Sequence, residues 1–119
     1  MYNRCIFQEN GSGNMEKTTK DIPDQVKEAV HQIDEEAEII LFGSRARGDY
    51  GSDSDWDFLI LLDGPITSEK EELIRNRIYD IELETEEVIT SIIEQRSEWE
   101  KYEETLIYKN IEEQGKLVA

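Results

Sequence analysis

The chain has 119 residues, 29 of them acidic and 13 basic, for a net charge of −16, so it is expected to form one modest domain whose surface repels a phosphodiester backbone. Polymer nucleic acid is therefore an unexpected partner, whereas a metal-chelated nucleotide or a basic protein surface is compatible with the charge. With one cysteine, Cys5, and no long apolar run, neither an internal disulfide nor a membrane span is expected, and the chain reads as cytoplasmic.

Residues 1–20 are polar and aperiodic, with Gly11-Ser12-Gly13-Asn14 just before a second methionine, Met15. They read as a flexible arm ahead of a domain at 21–119, and residues 1–14 are set aside from the fold as an added segment or an upstream start. Cys5 lies in that arm without a His or Lys beside it to activate the thiol. Asp21 is placed to cap a helix with Pro23 in its first turn, and Val26, Ala29, Val30 and Ile33 recur at helical spacing. His31, without a second ligand in spacing, reads as an ordinary boundary residue. Residues 38–42 and 58–62 are short, continuous apolar runs, the pattern of strands buried on both faces.

After Asp63-Gly64-Pro65 breaks the second strand, Ser68 and Glu71 have the spacing of a capping box, and Ile74, Ile78 and Ile81 form the buried stripe of the helix that follows. Residues 84–87 turn the chain into a β-branched third strand at 88–93. Ser97 with Glu100 gives a second capping box, and Trp99 is expected to anchor by packing. A last helix at 105–114 stops at Gly115, docked through Tyr102, Leu106, Ile107 and Ile111. The fold expected is α/β (α+β): a small mixed β-sheet with helices covering one face.

The chemistry is concentrated between the first two strands. Gly43 permits a sharp turn and close approach of a ligand, and Ser44 can cap a short helix over residues 45–47 while offering its hydroxyl to a phosphate. Arg45 and Arg47 flank that turn and have two readings, salt bridges to nearby acids or contacts to phosphate. After Ser44 and ten intervening residues come Asp55 and Asp57, whose alternation sends both carboxylates from one strand face with Cα atoms roughly 6.5 Å apart. Such a pair is held together at a cost that a cation relieves, and oxygen ligands select Mg²⁺ or Mn²⁺. Trp56 lies on the opposite face and is expected to pack in the core. An EF-hand is excluded because its sixth and twelfth positions, counted from Asp53, are Phe58 and Gly64. No P-loop pattern occurs, and Arg47-Gly48-Asp49 is treated as an accidental adhesion tripeptide. A plain solvated turn would explain the loop but not a charge at Asp57 entering an apolar strand.

Gly43-Ser44, ten residues, then Asp55-Trp56-Asp57 resembles the signature of the nucleotidyltransferase superfamily that includes DNA polymerase β, in its minimal single-domain form, over Asp21 to about Leu117. The resemblance implies that Gly43, Ser44, Arg45 and Arg47 hold a nucleoside triphosphate, ATP above others, and that Asp55 and Asp57 bind magnesium and serve catalysis. It implies transfer of a nucleoside monophosphate to an acceptor hydroxyl. It further implies an antitoxin-like role in which a small helical toxin, of the higher-eukaryote and prokaryote nucleotide-binding class, is modified or bound. The alternative is a catalytically weak binding module. The family commonly carries a third carboxylate on the strand beside the acidic pair. Here residues 88–93 hold no acid, and only Glu86, Glu87 and Glu94 flank them.

Overall fold

The computed structural model describes residues 21–51 and 53–119, so the arm expected at 1–20 lies outside the described residues. In order the elements are α1 (Ile22–His31), β1 (Glu38–Phe42), α2 (Ser44–Arg47), β2 (Trp56–Leu62), α3 (Ser68–Thr85) and β3 (Ile89–Gln95). Then come α4 (Arg96–Trp99), a 3-10 turn over Glu100–Tyr102, α5 (Leu106–Gln114) and β4 (Lys116–Leu117). The four strands form one sheet in the order β3-β2-β1-β4. β1 is antiparallel to β2 and to β4, whereas β2 and β3 are parallel, and α3 supplies the long crossover that a parallel pair requires.

Helix starts follow from side-chain caps. Asp21 accepts the Asp24 N–H at 3.1 Å, as the sequence suggests. For α3 the cap is Thr67, which accepts the Lys70 N–H at 3.1 Å, so the cap falls one residue before the Ser68 box. The Ser97 box does not form: α4 begins at Arg96, and its cap residue, Gln95, contributes no side-chain bond.

The core is in two parts, one on each face of the sheet. Val26 and Val30 of α1 and Ile74, Ile78 and Ile81 of α3 pack on Ile39, Leu41, Phe58, Ile60 and Leu62. Leu59 and Leu61, which alternate with those, meet Trp99 and Ile111, with Ile40, Phe42 and Tyr108 at the margin. Helices therefore cover both faces, not the single face expected. The physical reason is already in the strands: a continuous apolar run presents apolar side chains to both sides, and each side needs a cover.

The last helix docks more narrowly than its sequence suggests. Ile111 is buried and Tyr108 packs beside it, but Ile107 is 42% exposed and Leu106 74%. Gly115 ends α5 in an extended conformation, and its requirement is proximity: a Cβ there would lie 2.5 Å from the Ile111 carbonyl oxygen and 2.7 Å from Ile40 Cγ2. That close approach lets the chain turn into β4, a two-residue strand too short to announce itself by alternation.

Candidate active site

The register sets the site. Asp57 is paired with Phe42 of β1 on one side and with Thr90 of β3 on the other, so the end of β1 and the starts of β2 and β3 meet at one end of the sheet. The residue after Phe42 is Gly43, which stands at φ +79° as the cap of α2. A Cβ on Gly43 would run into the Asp57 carboxylate, with the Asp57 Cγ at 3.1 Å. Glycine is thus demanded twice, by a backbone conformation that L side chains avoid and by the carboxylate seated against it. Turn and acid are one unit.

Ser44 is the first residue of α2 and not its cap, a correction to the sequence reading. The Gly43 carbonyl accepts the Ala46 and Arg47 N–H groups at 3.0 and 3.1 Å, and the Ser44 carbonyl accepts the Gly48 N–H at 2.9 Å. Gly48, at φ +91°, closes the turn.

Asp57 is half-buried and Asp55, one residue before β2, is exposed. Burial pushes the Asp57 carboxyl above the usual carboxylate range, the Asp55 charge pushes it the same way, and the Arg47 charge opposes both. Arg47 is therefore near the pair, although its Nε donates to Asp49 at 3.4 Å and its side chain is exposed.

Arg45 is not brought to the carboxylates. Its Nη2 and Nε donate to the Ser54 carbonyl at 3.0 and 3.3 Å, and its guanidinium lies 4.2 Å from the centre of the Trp56 ring and 4.6 Å from that of Tyr50. Glu87 stands 3.6 Å away and also accepts the Trp56 Nε1–H at 3.1 Å. Trp56 packs against the core that contains α1 and α3, on the sheet face opposite Asp57, as expected from alternation. Arg45 thus makes an ion pair with Glu87. Sequence reasoning missed this network, because no local pattern links Glu87 to Arg45 and Trp56.

The flanking acids do not join the pair. Glu87 is committed to Arg45 and Trp56, and Glu86 caps α3 on the surface at φ 60°. Glu94 pairs with Leu61, about 13 Å along the strand from Thr90 by strand rise. The position facing Asp57 on β3 is Thr90. Among the described residues no group of three or more His, Cys, Asp or Glu is placed to hold a metal ion. Two carboxylates whose repulsion already raises one of them still fit a single hard cation such as Mg²⁺ or Mn²⁺, which takes one or two protein carboxylates and fills its remaining positions with water and phosphate oxygens.

A mixed sheet covered by helices, with a Gly-Ser turn folded onto an acidic residue at its end, defines a small α+β domain. The chain belongs to the nucleotidyltransferase domain family, whose model matches residues 23–118. Among solved structures, the crystal structure of a toxin-antitoxin with AMP-PNP is similar in fold: the TM-score is 0.59 at 14% identity, over 82% of this chain and 72% of that one. No curated protein matches the chain in sequence. Among the described residues no helix is long and apolar enough to cross a membrane.

Proposed function

We propose that the chain binds a magnesium- or manganese-chelated nucleoside triphosphate, ATP first among them, between the Gly43-Ser44 turn and the Asp55–Asp57 pair. Its nucleoside monophosphate then passes slowly to an acceptor hydroxyl on a partner protein. The observation that carries this reading is the contact of the Asp57 carboxylate with Gly43, which puts a phosphate-compatible turn and a cation-compatible acid within one ligand's reach. Asp55 and Asp57 hold the ion, and Ser44 and Arg47 face the phosphate oxygens. The ion, when bound, supplies charge neutralisation on the triphosphate.

In the transfer, the acceptor oxygen forms a bond to phosphorus as the bond to pyrophosphate breaks, and the acceptor's proton must leave. Thr90, the nearest β3 residue to Asp57, is no base at neutral pH, and general base catalysis is worth roughly 10² to 10⁴ in rate. Slow transfer follows. The same observation favours a second reading, in which the domain binds nucleotide and acts chiefly by covering a basic partner, as an antitoxin would. The similarity to a toxin-antitoxin structure with AMP-PNP supports keeping it.

Thermal melting tests the site. Mg²⁺ and ATP together should raise the melting temperature by more than the sum of their separate effects, because each completes the other's coordination. The doubly substituted Asp55→Asn, Asp57→Asn protein should lose that excess. An equal shift in this variant, or none in the wild type, refutes the site.

A further inference from the structure

We propose that Arg45 is a positioning residue for the acidic pair, holding the Ser54 carbonyl on one side of Asp55 and the Trp56 ring on the other so that the Asp55 carboxylate stands beside Asp57. The inference rests on the reading of that pair as a cation site.

Asp55 precedes β2 and is exposed, so neither the strand ladder nor packing fixes it. Its neighbours are fixed instead. The Ser54 carbonyl receives both the Nη2 and Nε donors of Arg45, and the Trp56 ring lies under the same guanidinium at 4.2 Å. Arg45 thus touches the residue before Asp55 and the residue after it. Ser54 in turn closes a small turn, accepting the Gly51 N–H on its hydroxyl at 3.0 Å and donating its own N–H to the Gly51 carbonyl at 3.2 Å. Trp56 is held from below, since its N–H donates to the Val88 carbonyl at 2.9 Å and its ring Nε1–H to Glu87.

The arginine side chain is only 10% exposed, on a chain with −16 net charge and many surface acids to pair with. A guanidinium withdrawn this far from water is stable because Glu87, a carbonyl and two aromatic rings replace its hydration. Arg45 also sits two residues after Gly43, so one side chain ties the turn to the acid that must act with it.

The clamp and a direct phosphate contact make opposite predictions when no nucleotide is present. Loss of a positive charge from the domain end that takes the cation should, by Coulomb's law alone, leave cation binding unchanged or tighten it. Loss of the clamp should weaken it, and residues that orient metal ligands typically cost about 10- to 100-fold in affinity when removed.

The experiment measures Mn²⁺ binding by titration calorimetry on nucleotide-free full-length protein, wild type and Arg45→Gln, with acrylamide quenching of tryptophan as a metal-free readout. Trp99 is 5% exposed, so the quenchable indole is Trp56. The expected result is a Kd for Mn²⁺ raised about 10- to 100-fold, together with stronger quenching before any metal is added. Arg45→Lys keeps the charge and the stacking but loses the two-donor fork, and should fall between the two. An unchanged or tighter Kd in Arg45→Gln overturns the inference, as does a loss that appears only with ATP present. Should Arg45→Gln fail to fold, a wild-type Kd in Arg45→Lys overturns it equally. If the wild type takes up no Mn²⁺, the cation-site reading falls first and this one with it; if the wild type binds and both variants bind as well, this one falls alone.

Discussion

Replacing Asp57 by Asn should make the metal-free protein more stable, the reverse of what a structural carboxylate would give. Burial first, and the Asp55 charge second, raise the Asp57 carboxyl above its ordinary range, while Arg47 offsets part of this. A raised carboxyl means that the ionised form is less at home in the folded chain than in the unfolded one. The folded state is therefore unpenalised below the unfolded value, and stability is lost as pH rises through the folded one. Two unit charges about 7 Å apart, the spacing of alternate strand residues, repel by about 2.4 kcal/mol at an effective dielectric near 20 and about 0.6 kcal/mol in bulk water. Asp55 is exposed, which places the effect in the lower part of that range, at about 1 kcal/mol. For a domain of this size, such a gain raises the melting temperature by about 4 to 8 °C. Melts followed by circular dichroism from about pH 4 to about pH 8 should show the Asn variant's advantage growing with pH across the carboxylate range. Saturating Mg²⁺ should raise the wild type and leave the variant where it was. An Asn variant that melts at or below the wild type at neutral pH without metal, or an advantage that does not change with pH, refutes this reasoning.

Gly43→Ala should destabilise the fold by more than Gly48→Ala. Both residues have positive φ, which costs an alanine of order 1–2 kcal/mol. Only at Gly43 does the new methyl also displace the Asp57 carboxylate, so the Mg²⁺-dependent rise should vanish there and persist in Gly48→Ala, as paired melts would show. Lys70→Met tests the link between α3 and the turn after α1, where the Lys70 Nζ lies 3.0 Å from Asp34. Burial pushes the Asp34 carboxyl up, but the Lys70 hydrogen bond, the Glu36 N–H and nearby positive charge bring it below its ordinary value. This pair's stability is present above the unfolded value and is lost as pH falls through the folded one. The variant should therefore lose about 1 kcal/mol in denaturant melts at neutral pH, and the loss should shrink as pH falls below the ordinary carboxylate range.

The parts of the site that read directly from the sequence are those whose physics is local. The apolar runs at β1 and β2 are continuous, and the Gly43-Ser44 turn and the Asp55–Asp57 alternation abut them, so strand, turn and acid follow without tertiary knowledge. The seating of Asp57 against Gly43 needs the register of Phe42 with Asp57, which no window of residues contains. Arg45 is harder still. Beside Ser44 it has the same local surroundings as Arg47, yet one is stacked between two rings and the other lies open, a difference decided by Trp56, Tyr50 and Glu87 from three separate segments. Likewise Ile107 and Ile111 are equivalent by helical spacing, but only Ile111 meets Leu59 and Leu61 across the sheet.

Thr90, the β3 residue paired with Asp57, offers a gain of function in place of a loss. Cross-strand partners leave the same face of a sheet, with the strands about 4.8 Å apart, so an aspartate at position 90 would point alongside Asp57. Thr90 is exposed, and the change removes no packing. Without metal it should cost stability, because a third carboxylate joins two that already repel, and Mg²⁺ should restore more to Thr90→Asp than to the wild type. With ATP labelled on the α-phosphate, the new carboxylate can take the acceptor's proton. Transfer to the chain itself or to a co-purified partner should then rise by roughly 10² to 10⁴, the worth of a positioned general base. Glu94→Gln, about 13 Å along the strand, should leave the rate as it was. A folded Thr90→Asp protein that gains stability from Mg²⁺ yet transfers no faster than the wild type would show that proton removal is not what limits this domain. Brisk transfer by the wild type, lost in Glu94→Gln, would show that the strand end moves to the acidic pair and that the third acid is Glu94 after all.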